Sequence, residues 1–82
     1  MEQVDHPTAV EVRFKVGGAL QVLNFFWRES QVTVIANGRC WLNGAGRHVM
    51  VMTPGEKVFE LLLQREDLVW RVVGAPLGEN LV

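Results

Sequence analysis

The feature that most constrains this chain is a two-residue alternation cut at short intervals by glycine-bearing corners. Val10, Val12, Phe14 and Val16 alternate with Glu11, Arg13 and Lys15, and a period of two marks a strand with one buried face. Gly17-Gly18 follows; paired glycines supply the positive φ angles of a tight hairpin turn. In the return run, Leu20 to Trp27, Leu20 and Val22 mark one face while Leu23, Phe25 and Trp27 mark the other. A bulge near Asn24 reconciles the two, because one extra residue reverses the facing of everything beyond it.

The rest of the chain continues in the same style. Arg28, Glu29 and Ser30 read as a connection, and Val32 to Ala36 as a strand. Asn37-Gly38 then carries a strong hairpin signal, with Arg39 to Leu42 as the returning arm. Asn43 to Gly46 is a loop, Arg47 to Met52 a strand, and Thr53-Pro54-Gly55-Glu56 fits a type II turn. Lys57 to Asp67 is open to two readings. Its Glu, Leu, Gln and Arg favour a helix, and Thr53, Pro54 and Glu56 could begin one. Against that, Val58, Phe59, Leu61, Leu62 and Leu63 would wrap around the cylinder instead of forming a stripe. A hairpin turning at Gln64 to Asp67 and returning through Leu68 to Val73 is preferred. The expectation is an all-β fold: an antiparallel meander of about six short strands forming a bent sheet or small open barrel. The alternative is α+β with one helix around 56–66. Residues 1–82 form a single domain, with flexible tails at 1–8 and 75–82.

Apolar residues make up 49% of the 82 and charged residues 21%, which is globular composition. No apolar run approaches the roughly 20 residues of a membrane-spanning helix, and no secretory leader is visible. Cys40 is the only cysteine, so no internal disulfide can form, as suits a reducing cytoplasm. The net charge of −1 argues against a dedicated nucleic-acid binder. It is unevenly spread, however: Arg13 to His48 holds five bases against one acid, with acidic stretches on either side.

The order of anchor residues resembles a small bacterial family of unknown function, known from actinobacterial proteins and from extensions of some Y-family DNA polymerases. The matching features are Phe14, Gly17, Leu20, Val22, the pair Trp27-Arg28, Trp41, Val58-Phe59-Glu60-Leu61 and Trp70-Arg71-Val72. They span most of Phe14 to Val73. The family has adjacent tryptophans after its second strand, where this chain has Val32-Thr33-Val34. The resemblance implies a small β domain and a link to DNA metabolism, and it supplies no catalytic residues.

Chemistry-bearing side chains are few. Ser30 is the only serine, His6 and His48 are the only histidines, and tyrosine is absent. A serine or cysteine nucleophile needs a base and an orienting acid beside it; Cys40, next to Trp41 in a strand, reads as a buried inert thiol. No metal-ligand spacing occurs, so neither metal nor cofactor is expected. Paired carboxylates would have to come from Glu60, Glu66 or Asp67. An enzyme would require His48 or a carboxylate in a cleft with a partner within hydrogen-bond reach. Gly44-Ala45-Gly46-Arg47-His48 resembles half of a phosphate loop but precedes a strand, so it reads as a hairpin loop. Two functional readings follow. The first is a non-catalytic binding or assembly module, self-associating or joining another protein, because the apolar residues exceed what one face of a six-stranded sheet can hide. The second is a single-stranded nucleic-acid-binding domain in which bases stack on Trp27 and Trp41 while Arg28, Arg39 and Arg47 meet phosphates.

Overall fold

The computed structural model describes residues 1–78, and among them there is no helix. Eight strands form: β1 (Glu2–Pro7), β2 (Val10–Phe14), β3 (Leu20–Trp27), β4 (Ser30–Thr33), β5 (Ala36–Leu42), β6 (Gly46–Thr53), β7 (Lys57–Gln64) and β8 (Trp70–Ala75). They make two antiparallel sheets, one of five strands in the order β1-β8-β7-β6-β5 and one of three in the order β2-β3-β4. The sheets do not close into a barrel. The smaller one lies across one face of the larger, and the core is what they share: Val22, Phe25 and Trp27 from β3 against Val49, Val51, Phe59, Leu61, Val72 and Ala75. Phe59 is the hinge of this packing, edge-on to both Phe25 (5.1 Å) and Trp27 (5.5 Å), an arrangement that aromatic quadrupoles favour.

Most of the alternation is realised as read. Gly17 and Gly18 both have positive φ and close the β2–β3 hairpin. Glu11 pairs with Asn24 and Val12 with Val22, so Leu23 is the extra residue of a bulge in β3. That bulge turns Val22, Phe25 and Trp27 onto one buried face. The helix alternative for 56–66 is overturned: these residues form β7 and its turns, in unbroken register with β6 from Gly46↔Gln64 to Thr53↔Lys57. Leu61 packs in the core shared with the smaller sheet, Leu63 lies on the same side of the strand and Leu62 on the opposite side, so the run that would clothe a helix all round serves both sides of a strand.

Three expectations need correction. The lead-in 1–8 is not a frayed tail, because Glu2–Pro7 pairs with β8 as an edge strand. At the other end Ala75 closes β8 and is fully buried; of the tail expected at 75–82, residues 79–82 lie outside the described residues. Asn37-Gly38 is not a hairpin turn either. The turn falls at Arg28-Glu29, both with positive φ (50° and 65°), the requirement of a two-residue type I′ hairpin. The chain then leaves the small sheet at Val34, which still bonds Leu23, and enters the large one at Ile35, which bonds Met52. Asn37 lies inside β5, beside a bulge that separates the Asn37↔Val51 and Cys40↔Val49 pairs.

Two side chains tie the sheets together. The Asn37 carboxamide accepts from the Val22 amide (2.8 Å) and donates to the Val22 carbonyl (2.9 Å). The Thr8 hydroxyl, on the β1–β2 crossover, accepts from the Phe26 amide (2.9 Å) and donates to the Phe26 carbonyl (2.7 Å). Each imitates a neighbouring strand for one residue of β3, satisfying backbone groups that would otherwise be orphaned.

Candidate functional site: the open face of the five-stranded sheet

Covering one face of the large sheet leaves the other without a second layer. Strand alternation puts Ala36, Met50, Met52 and Val58 at one corner of this face, around a hollow of about 130 Å³ that Gly38 also lines. Next to the corner lies a chain of polar contacts. The Arg39 guanidinium sits over the Trp41 ring, 5.0 Å from its centroid. The Trp41 indole stacks on the His48 imidazole, with centroids 4.9 Å apart and planes 6° from parallel. His48 Nδ1 lies 2.7 Å from Glu60 Oε2 and Nε2 lies 3.0 Å from Asn43 Oδ1. At the far edge Arg71 pairs with Asp5.

The register explains this constellation. Trp41 is opposite His48, and Glu60 is opposite Met50, one diagonal step from His48. Asn43 reaches in from the β5–β6 loop, where its Oδ1 also accepts from the amides of Ala45 (2.9 Å) and Gly46 (3.3 Å). Those two donors establish the oxygen as an acceptor, so His48 Nε2 carries a proton and donates to it. Nδ1 faces Glu60 Oε2 across the other contact. The same bonds occupy the Ala45 and Gly46 amides of the loop that resembles half of a phosphate cradle.

Glu60 therefore gives His48 the carboxylate partner that acid–base chemistry would require, beside a groove of about 410 Å³ also lined by Met1, Gln3, Leu62 and Gly74. Both imidazole nitrogens are already engaged, however, and the second faces a carboxamide where a nucleophilic triad would present a hydroxyl or thiol. Cys40 pairs in register with Val49, a core residue, and it is exposed, contrary to the expectation of a buried thiol. β5 is the sheet edge, and the smaller sheet does not extend over this part of it. Among the described residues no three or more His, Cys, Asp or Glu side chains gather as a metal site.

The five residues of the nucleic-acid reading do not converge. Trp27 is only 7% exposed and belongs to the core. Arg28 lies over its ring at 5.6 Å, at the β3–β4 turn. Arg39 and Trp41 stand together on the open face. Arg47 alternates to the opposite side of β6 from His48, lining a separate cleft with Leu42 and Leu63. The residues that sequence reasoning left unjoined are His48, Glu60 and Asn43, whose one available signal is their position on strands that the register makes neighbours.

No family model matches the sequence, and no curated protein or solved structure matches it.

Proposed function

We propose that this chain is a non-catalytic assembly module of the cytoplasm, related to the small bacterial β-domain family its anchor residues resemble, and that it self-associates through the open face of its five-stranded sheet. The observation that carries this reading is the character of that face. Met50, Met52, Val58 and Val73 are half-buried and have no layer over them, while polar groups beside them are already engaged: His48 with Glu60 and Arg71 with Asp5, with the Arg39 guanidinium lying over Trp41. Covering polar groups that arrive paired costs far less than burying lone charges, and an apolar patch edged by engaged polar groups is a combination that protein interfaces use. Five strands of six to eight residues, at about 3.4 Å per residue and about 4.8 Å apart, give a face of roughly 500 Å² in projection. Methionine suits such a surface because its flexible thioether adapts to an opposing copy.

Light scattering coupled to size-exclusion chromatography tests the proposal. A dimer is expected for the native chain and a monomer for Met52→Lys; a native chain that stays monomeric at high concentration ends it. The nucleic-acid reading has narrower support, from Arg39 and Trp41 alone, and the indole there already holds an imidazole and a guanidinium. Fluorescence anisotropy with single-stranded oligonucleotides at low salt, where phosphate contacts are strongest, separates the two readings.

A further inference from the structure

The loop end of the large sheet carries a second feature, on the side of β6 opposite His48. An open cleft of about 360 Å³ is lined by Leu42, Leu63, Leu68, Arg47 and Arg65, with Gly46 among its backbone contributors. That volume falls within the range of about 300–1,000 Å³ usual for small-molecule sites. Leu42 and Leu68 are each 71% exposed, an unusual state for two leucines flanking the same hollow. Leu68 also has φ of 58°, a left-handed conformation that a branched side chain rarely adopts. Hydrogen bonds hold it there: the Leu68 amide bonds the Gln64 carbonyl (3.0 Å), the Gln64 amide bonds the Val69 carbonyl (2.9 Å), and the Val69 amide bonds Asp67 Oδ1 (3.0 Å). A leucine fixed in a strained, solvent-facing pose is a wall positioned before anything fills the cleft.

The charge at the cleft is equally uncompensated. Among the described residues, neither Arg47 nor Arg65 has a carboxylate within salt-bridge distance. The nearby Asp67 already accepts from the Val69 amide, and Glu66 lines an adjoining hollow with Arg65. Apolar walls with two unmatched guanidinium groups complement one ligand class. We propose that this cleft binds a small amphiphilic carboxylate, its apolar chain along Leu42, Leu63 and Leu68 and its carboxylate taken by Arg47 and Arg65. Arginine is well suited to that head group because its planar fork matches a carboxylate in two hydrogen bonds.

The test is an amide-resolved NMR titration of the full chain with octanoate, run beside octanol and octyltrimethylammonium. Octanoate is expected to give saturable shifts at Leu42, Gly46, Leu63 and Leu68, with octanol and the cation binding at least about tenfold more weakly, a difference of ~1.4 kcal/mol. Arg47→Gln with Arg65→Gln should weaken octanoate about tenfold as well, and Glu66→Gln should tighten it. Leu68→Asn should also weaken binding while keeping the fold, since asparagine tolerates the left-handed region. Equal affinity for all three amphiphiles, an unchanged octanoate affinity in the double arginine variant, or shifts that fall elsewhere or never saturate would overturn the proposal. The same titration on Met52→Lys keeps this result independent of self-association, because that residue is on the other face.

Discussion

The two faces of the five-stranded sheet are made by the same strands, yet they are built of different residues. The covered face presents Val49, Val51, Phe59, Leu61 and Val72, none more than 2% exposed. These are mostly β-branched or aromatic side chains with few rotamers, suited to a permanent close-packed contact. The open face presents Met50, Met52 and Val58 beside the Trp41–His48–Glu60 array. The contrast is between a face fixed by close packing within the chain and a face with no second layer over it.

Substitutions on the two faces should separate sharply. Phe59→Ala removes the ring that both Phe25 and Trp27 contact and should cost about 3–5 kcal/mol, a large share of the roughly 5–15 kcal/mol that a domain has in hand. Met50→Ala, on the same sheet but the open side, should cost about 1 kcal/mol. Urea unfolding followed by tryptophan fluorescence measures both, and equal losses would erase the distinction between the faces. Next in size are the two side chains that stand in for strands. Asn37→Leu and Thr8→Val each leave an amide and a carbonyl of β3 without a partner and should cost about 1–3 kcal/mol. Amide hydrogen exchange should localise the loss to Val22 and Phe26 respectively. Glu60→Ala strips His48 of one partner and should cost about 1–2 kcal/mol, read in the same unfolding assay. Smallest is Met52→Lys, expected to leave the monomer's stability within about 0.5 kcal/mol while abolishing self-association. A destabilised monomer would mean that the open face contributes to the fold itself.

The all-β class was legible because it rests on local patterns. Alternation in Val10 to Val16, the paired glycines at 17 and 18, and the reversed facing within Leu20 to Trp27 each depend on residues a few positions apart. The misplaced hairpin shows where such reasoning fails. Asn37-Gly38 has the chemistry of a turn, but the carboxamide is committed to Val22, fifteen residues earlier, and Gly38 lies within a bulge. The turn went to Arg28-Glu29, a pair with no glycine, because the tight return of β4 onto β3 imposes positive φ there. β1 was missed for a related reason: Glu2 to Pro7 is polar and lacks alternation, and its strand character comes from β8, some seventy residues away. Cys40 was misjudged because nothing local distinguishes an edge strand from a central one.

The candidate site was less legible still. Trp41, His48 and Glu60 were each conspicuous alone, and their association follows only from the β5–β6 and β6–β7 registers. Gly46 belongs to the same class. Its φ of 146° and the Leu63 carbonyl beside it leave no room for a side chain, a requirement set by β7 and invisible in the loop itself.

What the chain determined by itself was the menu of strands, the corners between most of them, and an excess of apolar side chains over one sheet face. Those are consequences of backbone sterics and side-chain alternation, which act over a few residues. Tertiary structure decided which strands became neighbours, and thereby which face was covered, which histidine met which carboxylate, and which arginines were left unmatched beside a cleft. Such pairings join residues far apart in sequence, and packing of the whole core selects them where no local preference can.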